Sequence, residues 1–368
     1  MSELIELNRT IPVPLYYQLK ENLKKSIRRD FAAGDKFYSE RQLAEMLSVS
    51  RITTNRVVNE LVNDKILYRL HGKGTFVAAP QNREKTFNIG FMISRRLEKL
   101  DFQGGISTFQ RLVYVKSVCA KFGYSVFFLS ESEDNAEREN LAKLIGKIDG
   151  LIILGDVNPE LIRFFNKQIP TVIMDGMILD GVDCVLGDNP AGAYENVSYL
   201  IKNGHRRIGT IYGSLTVASF RERLDGYKKV LADNGIEVCD ELIVKGGGLI
   251  ENGYRAMETL LALKNPPTAV FASNDIMAIG AMKKITDVGL SIPGDISVTG
   301  FDDKELAYPY PPLTTVRFDK AKLAEVSMRH LMAKIDRKSN QATIERIPVE
   351  LVIRESVANI FNPKNKML

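Results

Sequence analysis

The chain has 368 residues, more than one ordinary hydrophobic core organises, so two or more packed units are expected. Its composition, 45% hydrophobic and 26% charged, excludes a disordered chain. No apolar run approaches the ~18 residues that cross a bilayer. The opening residues 1–6 include the acidic Glu3 and Glu6, whereas a secretory signal begins basic and then turns apolar. We therefore expect a cytoplasmic protein that does not contact a membrane.

Residues 1–77 have the pattern of a winged helix-turn-helix, a small DNA-binding domain. Pro14 starts a first helix, whose apolar side chains recur every four residues at Leu15, Leu19, Leu23 and Ile27. Ser39 caps a second helix, Glu40–Leu47, and a third runs from Arg51 to Asp64. Two short extended segments follow, joined by a glycine-flanked tight turn at residues 71–74. Helix, helix, turn, helix and hairpin together predict this domain.

The charges of this segment favour a nucleic-acid partner. The first 80 residues hold 13 basic and 9 acidic side chains and so carry +4 of the net charge of +5. The start of the second motif helix enters the major groove in such domains, which makes candidates of Arg51, Thr53, Asn55 and Arg56. Arg41 lies on the preceding helix, and His71 and Lys73 lie on the wing tip. Taken singly, each of these residues is also typical of a solvated surface.

Beyond residue 77 the pattern changes twice. Residues 78–86 have little apolar content and are typical of a linker. Strands and amphipathic helices then alternate over residues 87–355, which predicts α/β lobes with parallel sheets, and the length favours two lobes. A tail of residues 356–368 remains. The predicted strands are Asn88–Ile93, Ser125–Leu129, Gly150–Leu154, Thr171–Met174, Arg207–Tyr212, Ala269–Ala272 and Ser297–Gly300, and the predicted helices include Ala193–Lys202, Arg221–Asn234 and Asp275–Val288.

Polar side chains follow several of these strands. Asp175, Asn274 and Asp302 each come directly after a strand, and ligands of open α/β sheets bind beyond the carboxyl ends of the strands. Asp, Asn and Arg side chains together offer the paired donors and acceptors that a hydroxyl-rich ligand needs. The neighbouring Asp275 is better explained as a helix cap or structural partner, and Asp303 as a residue that orders its loop.

The N-terminal motifs resemble those of the GntR family of winged helices. The similarity rests on four segments in order, residues 14–18 (PLYYQ), 39–44 (SERQLA), 49–53 (VSRIT) and 71–77 (HGKGTFV). The resemblance implies contacts to double-stranded operator DNA at Arg41, Arg51, Thr53, His71 and Gly72. Where the family commonly has Arg, this chain has Asn55 with Arg56 beside it. That departure indicates a different operator.

Residues 87–355 resemble the effector domain of the LacI/GalR repressors, which has the two-lobed periplasmic-binding-protein fold. The similarity rests on residues 148–153 (IDGLII), 204–209 (GHRRIG), 221–227 (RERLDGY), 272–280 (ASNDIMAIG), 293–303 (PGDISVTGFDD) and 311–316 (PPLTTV). The fusion of the two modules is similar to the arabinose-repressor group. The resemblance implies a homodimer and a sugar-like effector bound by Asp175, Arg221, Asn274 and Asp302. We further expect Arg221 and Asp302 to face each other across the cleft between the lobes.

One departure concerns the aromatic ring that sugar-binding members often place on a sugar face. Here Gly246–Gly248 occupies that region, and the chain has no Trp. Phe102, Phe109 and Phe220 are alternative stacking candidates. The glycines are compatible with room for a larger ligand, with phosphate bound by backbone N–H groups, or with a plain flexible turn.

The two resemblances together predict a DNA-binding transcriptional regulator, a repressor in the LacI/GalR sense, controlled by a small molecule. Two other classes of function compete with this interpretation. Enzyme signatures are missing: the sequence has no nucleophile elbow, P-loop or dinucleotide fingerprint, and its three histidines and three cysteines have no metal-ligand spacing. We expect no cofactor and no metal. A pyridoxal-dependent fusion would need a lysine motif and a longer chain. A solute-binding protein of a transport system is the remaining alternative, and the winged helix argues against it.

Overall fold

The computed structural model describes residues 15–32, 34–78, 85–95, 97, 107–131, 145–304, 310–336 and 341–361. The chain folds as two compact units that divide between Lys85 and Thr86. Pro14, Phe102, most of the predicted linker and the end of the predicted tail lie outside the described residues. The domain boundaries predicted at residues 77, 87 and 355 stay predictions.

The N-terminal unit is a three-helix domain with a two-stranded wing. Its elements are α1 (Leu15–Asp30), α2 (Glu40–Leu47), α3 (Arg51–Asn63), β1 (Leu67–Leu70) and β2 (Gly74–Val77), with the two strands antiparallel. The Ser39 hydroxyl accepts from the Gln42 N–H, and the Gln42 side chain accepts from the Ser39 N–H, a capping box that starts α2. Leu19, Leu23 and Leu61 are fully buried in its core. The predicted winged helix-turn-helix is confirmed.

The second unit begins with a lobe built on a six-stranded parallel sheet. The elements of this lobe 1 are β3 (Asn88–Ile93), α4 (Ser107–Lys121), β4 (Ser125–Ser130), β5 (Gly150–Leu154), α5 (Pro159–Asn166), β6 (Thr171–Met174), β7 (Asp183–Gly187), α10 (Lys320–Ile335) and β13 (Ile344–Ile347). The strand order is β13-β7-β6-β5-β3-β4, and strands bury apolar side chains on both faces. Helices α4 and α10 cover one face and α5 covers the other.

Lobe 2 has a smaller parallel sheet of four strands. Its elements are α6 (Asn189–Lys202), β8 (Ile208–Tyr212), α7 (Ala218–Asp233), β9 (Ile243–Lys245), α8 (Ile250–Leu261), β10 (Ala269–Ala272), α9 (Asp275–Asp287) and β11 (Ser297–Thr299). The strand order is β11-β10-β8-β9. Helices α6 and α7 pack on one face of this sheet, and α8 and α9 pack on the other. The predicted pair of parallel-sheet lobes is confirmed.

The chain passes between the two lobes three times. The crossings lie at Asp188, at Asp319 and at Pro348, and two of them flank an antiparallel pair, β12 (Thr315–Phe318) with β14 (Val349–Val352). The Asp188 N–H donates to the Ile347 carbonyl over 3.0 Å, so the first and third crossings are hydrogen-bonded side by side. These adjacent crossings form a hinge. None of the described helices is long and apolar enough to span a membrane.

Candidate functional site

Helix α3 presents a polar face whose position is fixed by a buried one. Val57, Val58 and Leu61 anchor the helix in the core, which leaves Arg51 and Asn55 exposed on the opposite side. The Ser50 hydroxyl caps the helix by accepting from the Thr53 N–H over 3.1 Å. The Thr53 and Ser50 hydroxyls lie 2.8 Å apart, so the Thr53 side chain is held at the N terminus of the helix.

The sequence interpretation did not include Ile52. This side chain is 83% exposed, which is unusual for an isoleucine on a helix that buries a full apolar stripe. An exposed apolar side chain beside Arg51 suits contact with a thymine methyl group in a major groove. The helical periodicity held the signal, because Ile52 falls opposite the buried positions 54, 57, 58 and 61.

The other basic candidates on these helices already have partners within the unit. Arg41 Nε lies 2.9 Å from Glu45 on an exposed face. The Arg56 guanidinium lies 4.2 Å from the centroid of the Tyr16 ring and 3.4 Å from Glu60, so it packs toward α1. Such exposed pairs are weak and can exchange for phosphate contacts.

The wing tip is a glycine-shaped turn. Gly72 and Gly74 have φ values of +71° and +117°, which side chains with a Cβ rarely adopt. Lys73 is exposed between them, and His71 is exposed just before Gly72. Arg69, close to this turn on β1, lies 2.6 Å from Glu40, and this ion pair joins β1 to the start of α2. The wing side chains are thus displayed on a turn that is fixed to α2 through Arg69.

At the carboxyl end of β6, lobe 1 contributes a buried ion pair to the cleft. Asp175 accepts from Arg111 Nη2 of α4 over 2.6 Å, and both side chains are nearly nine-tenths buried. Asp175 has φ +51°, a conformation that costs a non-glycine residue some energy and that clusters at functional sites. Arg111 was not among the sequence-based candidates.

Lobe 2 contributes a second buried arginine at the carboxyl ends of its own strands. Arg223 of α7 contacts Asp302 over 3.0 Å, the Asn189 side chain over 2.8 Å and the Ser273 carbonyl over 2.7 Å. Its guanidinium also lies 3.7 Å from the centroid of the Phe301 ring. Asp302 is held at φ +107°. This geometry fixes a carboxylate and a planar donor at the floor of the cleft.

The expectation that Arg221 and Asp302 face each other from opposite lobes is wrong. Both residues belong to lobe 2, because β8 and β11, which precede them, lie in one sheet. Arg221 is exposed, and its guanidinium donates to the Leu215 carbonyl over 3.1 Å. The partner of Asp302 is Arg223. The sequence did contain a signal for this partner, because Arg223 falls among the apolar residues that α7 buries.

Asn274 and Asp275 begin α9, and their roles differ. The Asn274 side chain caps the helix by accepting from the Met277 N–H over 2.8 Å and donates to Gly248. Asp275 accepts from the Thr315 hydroxyl and from the Lys304 N–H. Burial, with the nearby Asp302 charge, raises the pKa of the Asp275 carboxyl to about 7. Asp275 is therefore a structural partner and not the cap.

Asp303 orders its loop, as expected. Arg317 and Arg354 each contact it over 2.6 Å. Burial acts to raise the pKa of Asp303, but the hydrogen bonds from Arg354 and Arg317 outweigh it, so that pKa lies below its usual value. The loop therefore holds an ionised Asp303 beside Asp302.

The Gly246–Gly248 stretch is shaped by packing. A Cβ on Gly246 would come 2.5 Å from the Met277 sulfur, and Gly248 has φ +108°. The ring of Phe220, one of the stacking candidates, is buried against Gly213 and lies near Gly248. The described part of Phe109 is its backbone only. The glycines are thus required for close approach of neighbouring elements.

Two contacts bridge the lobes beside these ion pairs. The Asp156 carboxylate of lobe 1 accepts from the Ala218 N–H at the start of α7 over 3.1 Å. Glu222 of α7 accepts from both terminal nitrogens of Arg346 on β13, at 2.7 and 3.2 Å. Glu222 also accepts from Asn189, which contacts Arg223. The cleft floor, the hinge and both lobes therefore share one hydrogen-bonded network.

No group of His, Cys, Asp and Glu suited to a metal occurs among the described residues. His205 is buried between Thr268 and the Ala358 carbonyl, and burial lowers the pKa of its imidazole. Cys119 and Cys184 are buried free thiols, and Cys239 is half-buried. The surroundings of His205 and of the three cysteines therefore indicate a structural role for these side chains.

The chain is similar to known proteins in both of its units. Residues 15–77 match the model of bacterial regulatory proteins of the gntR family, and residues 197–357 match the periplasmic binding protein-like domain. The transcriptional repressor PurR of Mannheimia succiniciproducens is 31% identical over 338 residues, which cover 87% of this chain and 98% of PurR. The chain belongs to the LacI/GalR family of transcriptional regulators. It carries a GntR-type DNA-binding domain.

Solved structures agree with this assignment. A CelR–cellobiose complex superposes with a TM-score of 0.67 at 23% identity, covering 87% of this chain and all of CelR, which shows the fold. The lac repressor dimer bound to operator and the anti-inducer ONPF gives 0.65 at 26% identity, covering 83% of this chain and 98% of that one. This LacI/GalR-type chain is a DNA-binding transcriptional regulator of the repressor class. Its relatives are regulators rather than enzymes, and a transport role has no support.

Proposed function

We propose that this repressor binds operator DNA as a homodimer and that a small polyhydroxylated effector, bound in the cleft, changes its affinity for the operator. The observation that carries the proposal is the pair of buried arginine–carboxylate contacts at the strand ends, Arg111–Asp175 in lobe 1 and Arg223–Asp302 in lobe 2. One cleft thus offers fixed donors and acceptors from both lobes to a hydroxyl-rich molecule.

The proposed operator contacts lie on α2, on α3 and on the wing. They are Arg41, Arg51, Thr53, Asn55, Arg56, His71, Gly72 and Lys73, to which the exposed Ile52 is added. Phosphate contacts would supply much of the affinity and make it salt-dependent. A dimer would read a site with two-fold character. Such a regulator would act where the chromosome is, in the bacterial cytoplasm.

The proposed effector contacts are Asp175, Asn274, Asp302 and, at the exposed end of α7, Arg221. Arg111 and Arg223 orient the two aspartates. Because Arg223 also contacts Asn189 at the first crossing, a ligand that moves Asp302 acts directly on the hinge. Effector and operator then alter each other's affinity by the same factor.

The test begins with selection of an operator from promoter fragments, followed by fluorescence anisotropy of the full chain on that operator. Pentoses, hexoses, their phosphates and sugar acids are then titrated against the complex. Asp302→Asn should keep operator binding but lose about 1–3 kcal/mol of effector affinity. Asp233→Asn, at the exposed C-terminal end of α7, is the matched control. Failure to select any specific operator would refute the proposal.

A further inference from the structure

Lys320 lies at the entrance of α10, directly after the second crossing between the lobes. Its side chain is half-buried, and its ammonium nitrogen is 3.5 Å from the Gln110 side-chain oxygen of α4. Within the part of the chain that the structure describes, no carboxylate lies within 4 Å of it. Lys320 is therefore a cation held at the hinge by a neutral neighbour.

Charges from both lobes surround this ammonium group. Arg111 acts on it from lobe 1, and Asp302, Asp303 and Lys304 act on it from lobe 2. Burial, together with Arg111, lowers the pKa of the Lys320 amine. Because Gln110 directly precedes Arg111 on α4, its contact with Lys320 places the lysine side chain next to the Arg111–Asp175 pair of the cleft.

The nearby carboxylates are already neutralised by other cations. Asp175 contacts Arg111, Asp302 contacts Arg223, and Asp303 contacts two arginines. Three other half-buried lysines differ from Lys320 because each touches a carboxylate, over 2.9 Å at Lys20, 2.6 Å at Lys284 and 3.4 Å at Lys334. A partly buried charge without a counter-charge is unfavourable. Among the described residues, the ammonium group of Lys320 therefore has no carboxylate counter-ion in the cleft.

We propose that the effector supplies this charge: it carries an anionic group, a phosphate or a carboxylate, that binds Lys320 at the hinge. The inference rests on the proposed function and names its ligand class, a sugar phosphate or sugar acid in place of a neutral sugar. The hydroxyl groups of such a molecule would contact Asp175 and Asp302, and its anion would lie against α4 and α10. Arg221, exposed and without a carboxylate within 4 Å among the described residues, adds positive potential at the rim.

The first test uses inorganic phosphate on the full chain, with chloride adjusted to hold ionic strength constant. Thermal unfolding and calorimetric titration are measured for the wild type, Lys320→Gln and Lys320→Arg. We expect saturable stabilisation by phosphate, at least about tenfold weaker binding in Lys320→Gln, and near wild-type binding in Lys320→Arg. Lys228→Gln removes an exposed lysine of α7 and should bind as the wild type does. Equal phosphate binding by Lys320→Gln and the wild type, or none by either, would overturn the proposal.

The second test separates the two sources of the anion and separates this inference from the proposed function. Glucose, glucose 6-phosphate and glucuronate, with the corresponding pentose set, are titrated against the operator complex. A response confined to the phosphates, or to the acids, and lost in Lys320→Gln identifies the group. A neutral sugar that changes operator affinity equally in wild type and Lys320→Gln, but not in Asp302→Asn, would leave the proposed function standing and refute the anionic effector.

Discussion

The two units use charged side chains in opposite ways. In the N-terminal unit the basic candidates Arg41, Arg51 and Lys73 are exposed, and the partner that Arg41 has is a surface carboxylate. In the cleft, Arg111 and Arg223 are buried and hold aspartates. A phosphate backbone is reached by flexible exposed cations, whereas a small ligand is recognised by groups whose geometry is set beforehand. Substitutions should therefore affect binding alone in the first unit, and stability as well as binding in the second.

The largest effect is expected at Arg223. Replacing it in Arg223→Met leaves Asp302 buried without its cation and removes the contacts to Asn189 and Ser273. Loss of one partner of a buried pair typically costs about 3–5 kcal/mol of unfolding free energy. Urea unfolding of the full chain measures this loss. The double variant Arg223→Met with Asp302→Leu should recover part of the lost unfolding free energy, because no unpaired charge is then left buried. A double variant that loses as much as the single variant Arg223→Met would contradict a coupled pair.

A second test uses the pH dependence of Asp275. Its carboxyl has a pKa of about 7 in the folded protein, against an ordinary value of 3.8 for aspartate. The folded state thus holds the proton more tightly, so the stabilisation is present below pH 3.8 and is lost as the pH rises through about 7. Each unit of pKa difference corresponds to about 1.4 kcal/mol. Asp275→Asn imitates the protonated form towards Thr315 and Lys304.

The unfolding free energy of Asp275→Asn should therefore fall less than that of the wild type between pH 4 and 7. Denaturant unfolding at a series of pH values checks this, with Asp240→Asn, an exposed carboxylate of lobe 2, as the control. Parallel pH profiles for Asp275→Asn and the wild type would show that Asp275 titrates normally.

The next effect in size concerns the DNA-binding face. Arg51→Ala should cost roughly 1–3 kcal/mol of specific operator affinity if Arg51 contacts a base or a tightly held phosphate. Since Arg51 is exposed, the unfolding free energy should stay within about 0.5 kcal/mol of the wild type. Anisotropy on operator and on unrelated DNA measures the change. Lys25→Ala, exposed on α1, provides a comparison, and unchanged operator affinity would remove Arg51 from the interface.

The smallest effect sharpens the contrast between exposed and buried pairs. The Arg41–Glu45 contact is an exposed i, i+4 pair, so its coupling energy in a double-mutant cycle should be about 0.3–0.5 kcal/mol. The single variant Arg41→Ala should nevertheless lower operator affinity and reduce its salt dependence by about one phosphate contact. A coupling energy comparable with that of Arg223 and Asp302 would abolish the distinction between the two units.

How far the sequence predicts the structure depends on what surrounds each element. The bounds of β3, β5, β6 and β10 were predicted correctly, because these strands are apolar runs between clear breaks. The start of α7 was placed at Arg221 instead of Ala218, since its cap residue, Val217, makes no side-chain cap and the Ala218 N–H is satisfied by Asp156 of the other lobe. No local signal marks a helix start that is completed by a distant residue.

The cleft shows the same limit. Position after a strand identified Asp175 and Asp302, but their partners Arg111 and Arg223 lie on helices far away in sequence. Choosing Arg223 instead of Arg221 as the partner of Asp302 required knowing which face of α7 is buried. The segments β7, β9 and β12 to β14 were not predicted, because short strands with polar positions resemble loops until the partner strand is known.

The triple crossing of the hinge has a consequence for synthesis of the protein. The edge strand of lobe 1, β13, pairs with β7 more than 150 residues earlier, and Ser356 and Ala358 complete lobe 2 by hydrogen bonds to Val298 and His205. Neither lobe can therefore be completed until residues 344–358 have left the ribosome, whereas the winged helix is complete by Val77. We expect a nascent chain to acquire its operator-reading fold well before it can respond to any metabolite, and translation that stops early to release a regulator without a sensor.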